Sequence, residues 1–272
     1  MRIFALAFGF LLVFQTIMLA QVNTPPGSPQ PGRHDNYKPR SGGVRGGFQV
    51  SPTWSWLRTE DKLIEGVGTN WGVKFGAELE FPNLKKTEGG LAFVTGIGLG
   101  LNQGGTLLTN HSQGVYWPET DLSTPLLDTL PLGSRLTYHL TYLEIPLGGR
   151  LRFDPIGRLG DLDIRPNIDG GLLLGFRTRA IGDIRGAAPV QAEDEVIVKE
   201  TGLLSLSWQL IFSVEFERPG GGSWVVGVGY QHQFTDMTSD NGTVFDTKIN
   251  AWREEDSRGS FSMLSLRLAY YL

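Results

Sequence analysis

The stretch NWGVKFGAELEF, residues 70–81, alternates strictly between two kinds of side chain. One parity carries the apolar residues Trp71, Val73, Phe75, Ala77, Leu79 and Phe81. The other parity carries Asn70, Gly72, Lys74, Gly76, Glu78 and Glu80. Because successive side chains of a β-strand point to opposite faces, this strand would have one apolar face and one charged face. The stretch therefore predicts a strand that separates an apolar environment from a polar one.

Seven further segments show the same alternation, and most of them carry aromatic residues near their ends. They span residues 46–56, 91–102, 138–153, 164–177, 204–216, 224–234 and 260–272. Repeated segments of roughly ten alternating residues are typical of a barrel with lipid outside and polar groups inside. We therefore predict an all-β fold over residues 46–272: an eight-stranded antiparallel transmembrane β-barrel with short periplasmic turns and three long external loops.

The connections between these segments indicate how the barrel is oriented. Three connections are short, at residues 82–90, 154–163 and 218–223. Three are long, at residues 104–137, 178–202 and 235–259. Bacterial barrels have short periplasmic turns and long external loops, and an even number of strands leaves both termini on the periplasmic side. We therefore expect an outer-membrane protein whose N- and C-termini are periplasmic.

Aromatic residues near the strand ends predict two interfacial girdles, because Trp and Tyr are enriched where a membrane meets water. The periplasmic girdle would contain Phe48, Phe81, Phe93, Phe153, Phe216, Trp224 and Tyr270. The outer girdle would contain Trp56, Trp71, Phe176 and Tyr230. Pro52 lies inside the first strand and has no N–H to donate, so we expect a bulge or a local break there.

The N-terminal region has the features of an export signal. Residues 1–20 combine one positive charge, Arg2, with a long apolar run, which predicts a secretory signal peptide cut before Gln21. An uncleaved anchor helix is the alternative. Residues 21–45 are polar and contain five prolines, which predicts an extended periplasmic leader. No later run approaches the ~20 apolar residues of a membrane-spanning helix.

Composition excludes several classes of protein. The chain has no cysteine, so it has neither disulfides nor a lipidated cysteine. Its 24 basic and 28 acidic residues give a net charge of −4, which gives no indication of nucleic-acid binding.

Charged residues on the polar faces form the candidate site. Placed inward by parity, they predict an interior charge network of Lys74, Glu78, Glu80, Glu144, Arg150, Arg152, Arg165, Asp169, Glu215 and Arg267. An eight-stranded barrel is only wide enough for its own side chains. Unpaired buried charges cost several kcal/mol, so we expect these residues to pair and fill the lumen. A selective pore is the alternative. Glu144 is expected to face Arg150, Arg165 or Arg267.

Other patterns do not predict a cofactor or metal site. The glycines of residues 96–100 continue one face of a strand before an expected turn at Asn102, whereas a dinucleotide fingerprint needs a strand-to-helix turn. We expect these glycines to leave room for arginines on neighbouring strands. None of the four histidines, His34, His111, His139 and His232, has metal-ligand spacing. Asp236, Asp240 and Asn241 lack the spacing of a calcium loop. We predict no catalytic, cofactor-binding or metal-binding residue.

One enzymatic alternative remains open at His139. Some eight-stranded barrels are lipid A-modifying enzymes that use a histidine, a serine and a carboxylate at the outer rim. His139 would lie near that rim and share a face with Thr141. No serine stands two residues from His139, and no rim carboxylate can be assigned from the sequence. A hydrogen-bonded interfacial histidine is the interpretation we favour.

The stretch TYLEIPL, residues 141–147, is followed by Arg165-Pro166-Asn167 and by glycines between residues 170 and 175. Together these features resemble the PorT-type outer-membrane β-barrel domain common in Bacteroidota. The resemblance implies an outer-membrane barrel, sometimes linked to type IX protein secretion, and it implies no catalytic residue. The terminal alternation through Leu268, Tyr270 and Leu272 is similar to the signal read by the barrel-assembly machinery, although its last residue is usually Phe.

From these features we expect a non-enzymatic protein, a structural or accessory subunit of an envelope complex. Its expected partners are outer-membrane lipid, the barrel-assembly machinery during insertion, and an envelope protein bound through residues 104–137.

The loop at residues 104–137 is unusually apolar, with Tyr116, Trp117 and several leucines. Long loops without a role are uncommon, so it either covers the barrel mouth as a lid or docks on a partner. We favour a lid extended by the strand ends.

Overall fold

A computed structural model describes residues 43–60, 63–82, 90–110, 113–123, 129–186, 191–218 and 221–272. The predicted signal peptide and nearly all of the predicted leader lie outside the described residues, as do His34, His111, Leu126 and Leu127. Among the residues that are described, no helix is both long enough and apolar enough to cross a membrane.

Eight long strands form the barrel: β1 Arg45–Arg58, β2 Glu65–Pro82, β3 Gly90–Leu108, β5 Arg135–Arg152, β7 Leu162–Arg185, β9 Leu204–Glu217, β10 Ser223–Gln233 and β13 Ser260–Tyr271. Five short strands accompany them: β4 Gly114–Val115, β6 Gly157–Leu159, β8 Gln191–Val196, β11 Thr243–Asp246 and β12 Ala251–Glu254. Each long strand pairs antiparallel with its neighbours in chain order, and β1 closes the ring on β13 with Gly47 opposite Tyr271. The predicted closed, eight-stranded antiparallel barrel is confirmed.

The alternation of the sequence corresponds to the two faces of this barrel. On β5, Glu144 and Arg150 are buried inside, whereas the outward Leu147 and Leu151 are 45% and 42% exposed. The outward apolar residues of the other strands are exposed in the same way, including Phe48, Ile97 and Leu172. The face assignments made from parity are therefore confirmed for this part of the barrel.

We call the end of the barrel with the short connections the turn end, and the end with the long loops the loop end. At the turn end, Phe48, Tyr270, Trp224 and Phe216 occupy neighbouring positions on four adjacent strands. At the loop end, Trp54 packs on Trp71 with ring centroids 4.7 Å apart. We call the outward apolar surface between these two rings of aromatics the apolar belt. Phe48 and Trp56 are eight residues apart on β1, about 26 Å along the strand.

Further aromatic residues complete the loop-end girdle. The ring of Tyr230 lies 6.5 Å from that of Trp56 and 5.4 Å from that of Trp208. Trp54 and Trp208 thus join the girdle residues predicted from the sequence. Pro52 interrupts the ladder between β1 and β13, where Ser51 and Pro52 lack partners although the register is kept. A local break is one of the two outcomes that we predicted there.

Several strands continue further at the loop end than the sequence predicts. The expected turn at Asn102 is wrong, because β3 continues to Leu108. Asn102 adopts a positive φ of 56°, and the register between β3 and β5 shifts there by one residue. Asn tolerates this left-handed conformation, so a bulge forms without ending the pairing. A second shift lies between β5 and β7, where Tyr142 faces Arg177 but Thr141 faces Arg179.

The polarity of the wall inverts at these bulges. Within the apolar belt, β5 presents Leu143 to Leu151 outward and charged residues inward. Beyond it, β5 presents Arg135, Thr137 and His139 outward, while Leu136, Tyr138 and Leu140 are buried inside. The same change occurs on β7. The loop end therefore resembles an ordinary water-soluble sheet, and the belt region does not.

The three long loops fold together over the loop end. β11 pairs with both β12 and β4, so the loop after β10 is joined to the loop after β3. β8 pairs with the extended part of β7. The loop between β3 and β5 is shorter than the predicted 104–137, because both flanking strands extend into it. We call the described residues of the three long loops, including β4, β8, β11 and β12, together with the strand ends beneath them, the cap.

Candidate functional site: the barrel interior and the outer rim

Charged side chains fill the interior at the turn end. We call this group the turn-end network; it comprises Arg45, Glu78, Glu80, Arg150, Arg152, Asp169, Glu215, Arg267 and Tyr271. Seven of its nine members belong to β1, β2, β5, β7 and β9, and the other two to β13. The network therefore ties together strands that are not neighbours in the wall.

Arg150 has the most contacts in this network and has no exposed side-chain surface. Its Nε and Nη2 donate to the two oxygens of Asp169, both at 2.7 Å, which is the bidentate arrangement that suits a guanidinium. Its Nη1 donates to Glu80 at 2.8 Å. Arg267 donates to Asp169 and to Glu78. Two arginines thus share a set of three carboxylates.

Glu215 forms the second centre of the network. Its carboxylate accepts from Arg45 Nη2 at 2.7 Å, from Ser223 Oγ at 2.6 Å and from Asn167 Nδ2 at 3.1 Å. Arg152 bridges the two centres, because it donates to Glu80 at 2.7 Å and lies 3.3 Å from Glu215. Buried charges with several partners of this kind avoid the penalty of an uncompensated charge.

Two members of the network were missed in the sequence. Arg45 was assigned to the leader because the alternation becomes visible only after it, yet it is the first residue of β1. The apolar parity of the last strand, with Leu268, Tyr270 and Leu272, does not include Tyr271, which lies on the inward parity. The hydroxyl of Tyr271 donates to Glu78 and accepts from Arg150 at 2.8 Å and Arg267 at 2.7 Å. An inward tyrosine among arginines follows directly from the parity of Arg267.

Arg165 lies apart from these centres. Its Nη2 is 3.6 Å from the carboxylate of Glu217, close to the turn-end mouth. The structure therefore brings together eight of the ten sequence-predicted network residues around the two centres or at the mouth, and it places the remaining two, Lys74 and Glu144, in a separate layer.

Lys74 and Glu144 belong to a layer halfway along the barrel. Lys74 Nζ lies 2.7 Å from Glu144 Oε2 and donates to Gln231 at 2.6 Å. Gln103 Nε2 donates to the other oxygen of Glu144 at 2.7 Å. We call these four residues the middle layer. The expectation that Glu144 faces an arginine is wrong. β2 and β5 both pair with β3, and their registers, with Lys74 opposite Gly100 and Glu144 opposite Gly98, bring Lys74 beside Glu144 over the inner face of β3.

The inward glycines of β3 make room for this layer and for the neighbouring backbone, not for arginines. A Cβ on Gly100 would meet Gln103 Nε2 at 1.7 Å and Glu144 Oε1 at 3.0 Å. A Cβ on Gly96 would meet the carbonyl oxygen of Ala77 at 2.2 Å. The expected role of these glycines is therefore corrected: Gly100 admits an amide and a carboxylate, and Gly96 admits the backbone of β2.

An apolar cluster fills the interior beyond the middle layer. We call it the cap cluster; it includes Leu57, Leu63, Ile64, Leu107, Tyr116, Trp117, Leu130, Leu136, Tyr138, Leu140, Tyr142, Ala180, Ile184, Ala192, Ile197, Met237, Val244, Phe261 and Met263. Trp117 donates from Nε1 to the Tyr138 hydroxyl at 3.0 Å. The described part of the loop between β3 and β5 thus packs onto the barrel, as the lid interpretation predicted.

Polar contacts join the cap loops to one another. The buried carboxylate of Glu200 accepts from the backbone N–H of Glu119 at 2.6 Å and from Thr120 Oγ1 at 3.1 Å. The hydroxyl of Ser239 donates to the same carboxylate at 3.3 Å. Burial raises the pKa of Glu200. Burial together with the charge of Asp240 raises the pKa of Asp236 to about 6.

His139 lies on the outer surface just beyond the girdle. Its Nδ1 is 2.6 Å from Asn102 Oδ1, and its Nε2 is 3.4 Å from Asp183 Oδ2. Asp183 is a rim carboxylate that the sequence could not assign, because the bulge in β7 changes which residues face outward. In the described residues, neither ring nitrogen of His139 contacts a hydroxyl group. His232, on β10, contacts Ser262 Oγ at 3.0 Å through Nδ1.

The described residues contain no group of three or more side chains that could hold a metal ion. Asn241 directs its amide to Glu119 at 3.2 Å, and Asp236 accepts from the N–H and hydroxyl of Thr238. A cleft of about 420 Å³ lies between the cap loops. Its charges are largely paired with one another, as in the contacts of Arg258 with Asp256 and Glu60.

No protein-family model matches the chain, and no curated protein matches it. Among solved structures, Neisserial surface protein A is similar over 84% of this chain and 97% of its own, at 10% identity and a TM-score of 0.36. Ail of Yersinia pestis is similar over 84% and 98%, at 7% identity and a TM-score of 0.35. The outer-membrane protease OmpT of Escherichia coli is similar over 85% and 96%, at 7% identity and a TM-score of 0.34. Likenesses this distant carry no functional information, and the closed strand order of the chain itself establishes the fold.

Proposed function

We propose that this protein is a non-enzymatic outer-membrane β-barrel, a structural or accessory subunit of an envelope complex that presents its cap outside the cell. The observation that carries the proposal is the inversion of polarity along β5 and β7. Exposed leucines and phenylalanines surround a charged interior between the two girdles, and the opposite holds beyond them. Lipid is the environment in which an apolar outer surface around a charged lumen is stable.

The filled interior supports a role other than conduction. The turn-end network, the middle layer and the cap cluster follow one another along the barrel axis. An eight-stranded barrel has room for little beyond its own side chains. Under this proposal the protein does not act as a channel, and purified protein in planar bilayers gives no single-channel current.

The orientation under this proposal follows from the turn and loop ends. β1 begins and β13 ends at the turn end, which would therefore be periplasmic together with both termini. The cap would face outward, where an envelope protein could bind it. The resemblance of residues 141–147 and 165–167 to the PorT-type domain supports a link to protein secretion.

Membrane fractionation and gel mobility before and after heating test this proposal. We expect the protein in the outer-membrane fraction, where it migrates faster when unheated because the folded barrel is compact. Affinity purification from native membranes then tests the role in a complex, by comparison of the intact protein with a variant that lacks residues 107–132. A stoichiometric partner that disappears on deletion would support docking through the cap. Recovery as a soluble periplasmic protein would exclude the proposal.

A lipid A-modifying enzyme is the second candidate function, and the pairing of His139 with Asp183 is the observation in its favour. A histidine held by a carboxylate can act as a general base. Mass spectrometry of lipid A from cells with and without the protein separates the two candidates. Altered acylation that requires His139 would favour the enzyme, and unchanged lipid A would exclude it.

A further inference from the structure

Arginine or histidine side chains occupy the outward position next beyond the loop-end girdle on three strands. Arg58 lies two residues beyond Trp56 on β1, and His232 lies two residues beyond Tyr230 on β10. On β7, Arg179 follows Phe176 after the bulge that returns its side chain to the outer face. The same order, an aromatic residue and then an arginine or histidine, is thus repeated at separate places around the rim.

Within the part of the chain that the structure describes, neither arginine of this set has a carboxylate partner. Arg58 and Arg179 are exposed, and among the described residues no ion pair involves either of them. Several other exposed arginines are paired: Arg218 at the turn end lies 3.3 Å from Asp161, and Arg258 on the cap lies 2.9 Å from Asp256. Arg135 is likewise exposed without an ion pair among the described residues, but Arg58 and Arg179 differ from it in lying directly where the apolar belt ends.

Each arginine has polar neighbours that could contact the same anion. Arg179 is opposite Thr141, and His139 occupies the next outward position of β5, held by Asn102 and Asp183. Asp183, four residues further along β7, contacts His139 and Arg185. Arg58 and His232 flank β13 from its two sides, opposite Ser260 and Ser262. Both places thus combine a guanidinium with an imidazole and a hydroxyl.

We propose that Arg58 and Arg179, with His232 and His139 beside them, bind the phosphate groups of outer-leaflet lipid headgroups. This inference rests on the proposed function, because it requires the apolar belt to lie in the bilayer. Headgroup phosphates lie directly beyond the hydrocarbon layer, at the level of the interfacial aromatics. Guanidinium groups bind phosphate through paired hydrogen bonds. The lipid would supply the counter-ions that the described chain does not.

The experiment measures the temperature at which half of the folded form of the full-length protein is lost, followed by gel mobility in detergent micelles. Three probes are added separately: lipid A with its phosphates, the same lipid A after dephosphorylation, and inorganic phosphate at an equal phosphate concentration. We expect only the phosphorylated lipid to raise this temperature, by about 3–6 °C near saturation. In R58Q/R179Q, the lipid concentration needed for half of the effect rises about 25-fold, since each cation near an anionic surface contributes roughly fivefold.

Arg135→Gln is the matched control. Arg135 is also an exposed arginine without an ion pair among the described residues, but it lies six positions above Thr141 on β5, about 20 Å further from the belt. The R135Q protein should respond to lipid as the unaltered protein does. Equal stabilisation by dephosphorylated lipid or by inorganic phosphate would overturn the inference, and so would an equal loss in R135Q and R58Q/R179Q.

Flotation of the unaltered protein with phospholipid vesicles separates this inference from the proposed function. A protein that floats with the vesicles but is not stabilised by phosphorylated lipid A leaves the membrane barrel intact and refutes the phosphate sites alone. A protein that does not float refutes both.

Discussion

The two halves of the barrel interior are filled by opposite chemistry. The turn-end half contains paired arginines and carboxylates, as in the contacts of Arg150 with Asp169 and Glu80. The loop-end half contains the apolar cap cluster, in which Trp117 packs against Tyr138. The outer surface changes in the opposite sense at the same level. The environment outside each half therefore determines which kind of side chain faces outward. The interior of that half is filled by side chains of the opposite kind.

This difference has energetic consequences. In the charged half, each carboxylate depends on a small number of cations, so removing one partner leaves a buried charge. In the apolar half, packing is shared among many side chains, and part of the cluster comes from loops that can open without unfolding the barrel. We therefore expect substitutions in the charged half to affect the whole barrel and substitutions in the cap to act locally.

Arg150→Leu should have the largest effect. It leaves Asp169 and Glu80 without their strongest partner, so we expect the free energy of unfolding to fall by about 5 kcal/mol. Urea titration of the folded protein in detergent measures this. Leu151→Ile, on the outward face of the same strand, is the control and should change the stability by less than about 1.5 kcal/mol. Equal losses in the two variants would show that the charged half is not inside the barrel.

Glu144→Leu should have the next largest effect. It leaves Lys74 buried with the amide of Gln231 as its one remaining partner among the described residues, so we expect a loss of about 3 kcal/mol in the same titration. Replacing the outward Ile145 with Leu should change little. If the double variant K74M/E144L recovers most of the lost stability, the pairing of Lys74 with Glu144 is established; failure to recover would indicate a different partner.

The sequence predicted the belt region well and the loop end poorly, for a physical reason. Between the girdles the two faces of every strand meet different environments, so alternation reveals each strand and the side to which Glu144 or Arg150 points. It does not reveal the register between strands that are distant along the chain, so Lys74 could not be identified as the partner of Glu144.

Beyond the belt, two local features hid the continuation of the strands. The bulge at Asn102 reverses the parity of β3, and the shift near Arg179 does the same on β7. At the same level the polarity of the wall inverts, so the strands no longer match the pattern found below. Arg45 was missed for a related reason, because one residue at the start of a strand shows no alternation.

Trp117→Ala should have a smaller effect on the barrel and a clear effect on the cap. Trp117 attaches the loop between β3 and β5 to Tyr138 and Gly182 of the barrel, and the strands keep their own pairing without it, so we expect the free energy of unfolding of the barrel to fall by only about 1 kcal/mol. The loop between β3 and β5 should become much more sensitive to added protease, because a buried Trp contributes about 3–5 kcal/mol to the structure it packs in. A large loss of barrel stability would instead show that the two halves unfold as one unit.

The smallest effect concerns pH and the cap. The pKa of Asp236, about 6 in the folded protein, is above the ~3.9 of an unfolded chain. The folded cap therefore binds more protons, and its stability falls as the pH rises from about 4 through 6. Proteolysis of residues 235–259 should be slower at pH 5 than at pH 7.5, relative to D236N at each pH. An identical pH profile in D236N would assign the effect to another group, such as Glu200.

Because the chain contains no cysteine, single cysteines can carry spin labels that report directly on the surroundings of each half. Leu172 faces outward within the belt and Val196 faces outward on the cap; they are 47% and 65% exposed. For protein in bilayers, we predict that a label at position 172 collides with oxygen and is protected from a water-soluble nickel chelate, whereas a label at position 196 is accessible to the chelate. Equal accessibility to the chelate at both positions would contradict the assignment of the belt to the membrane.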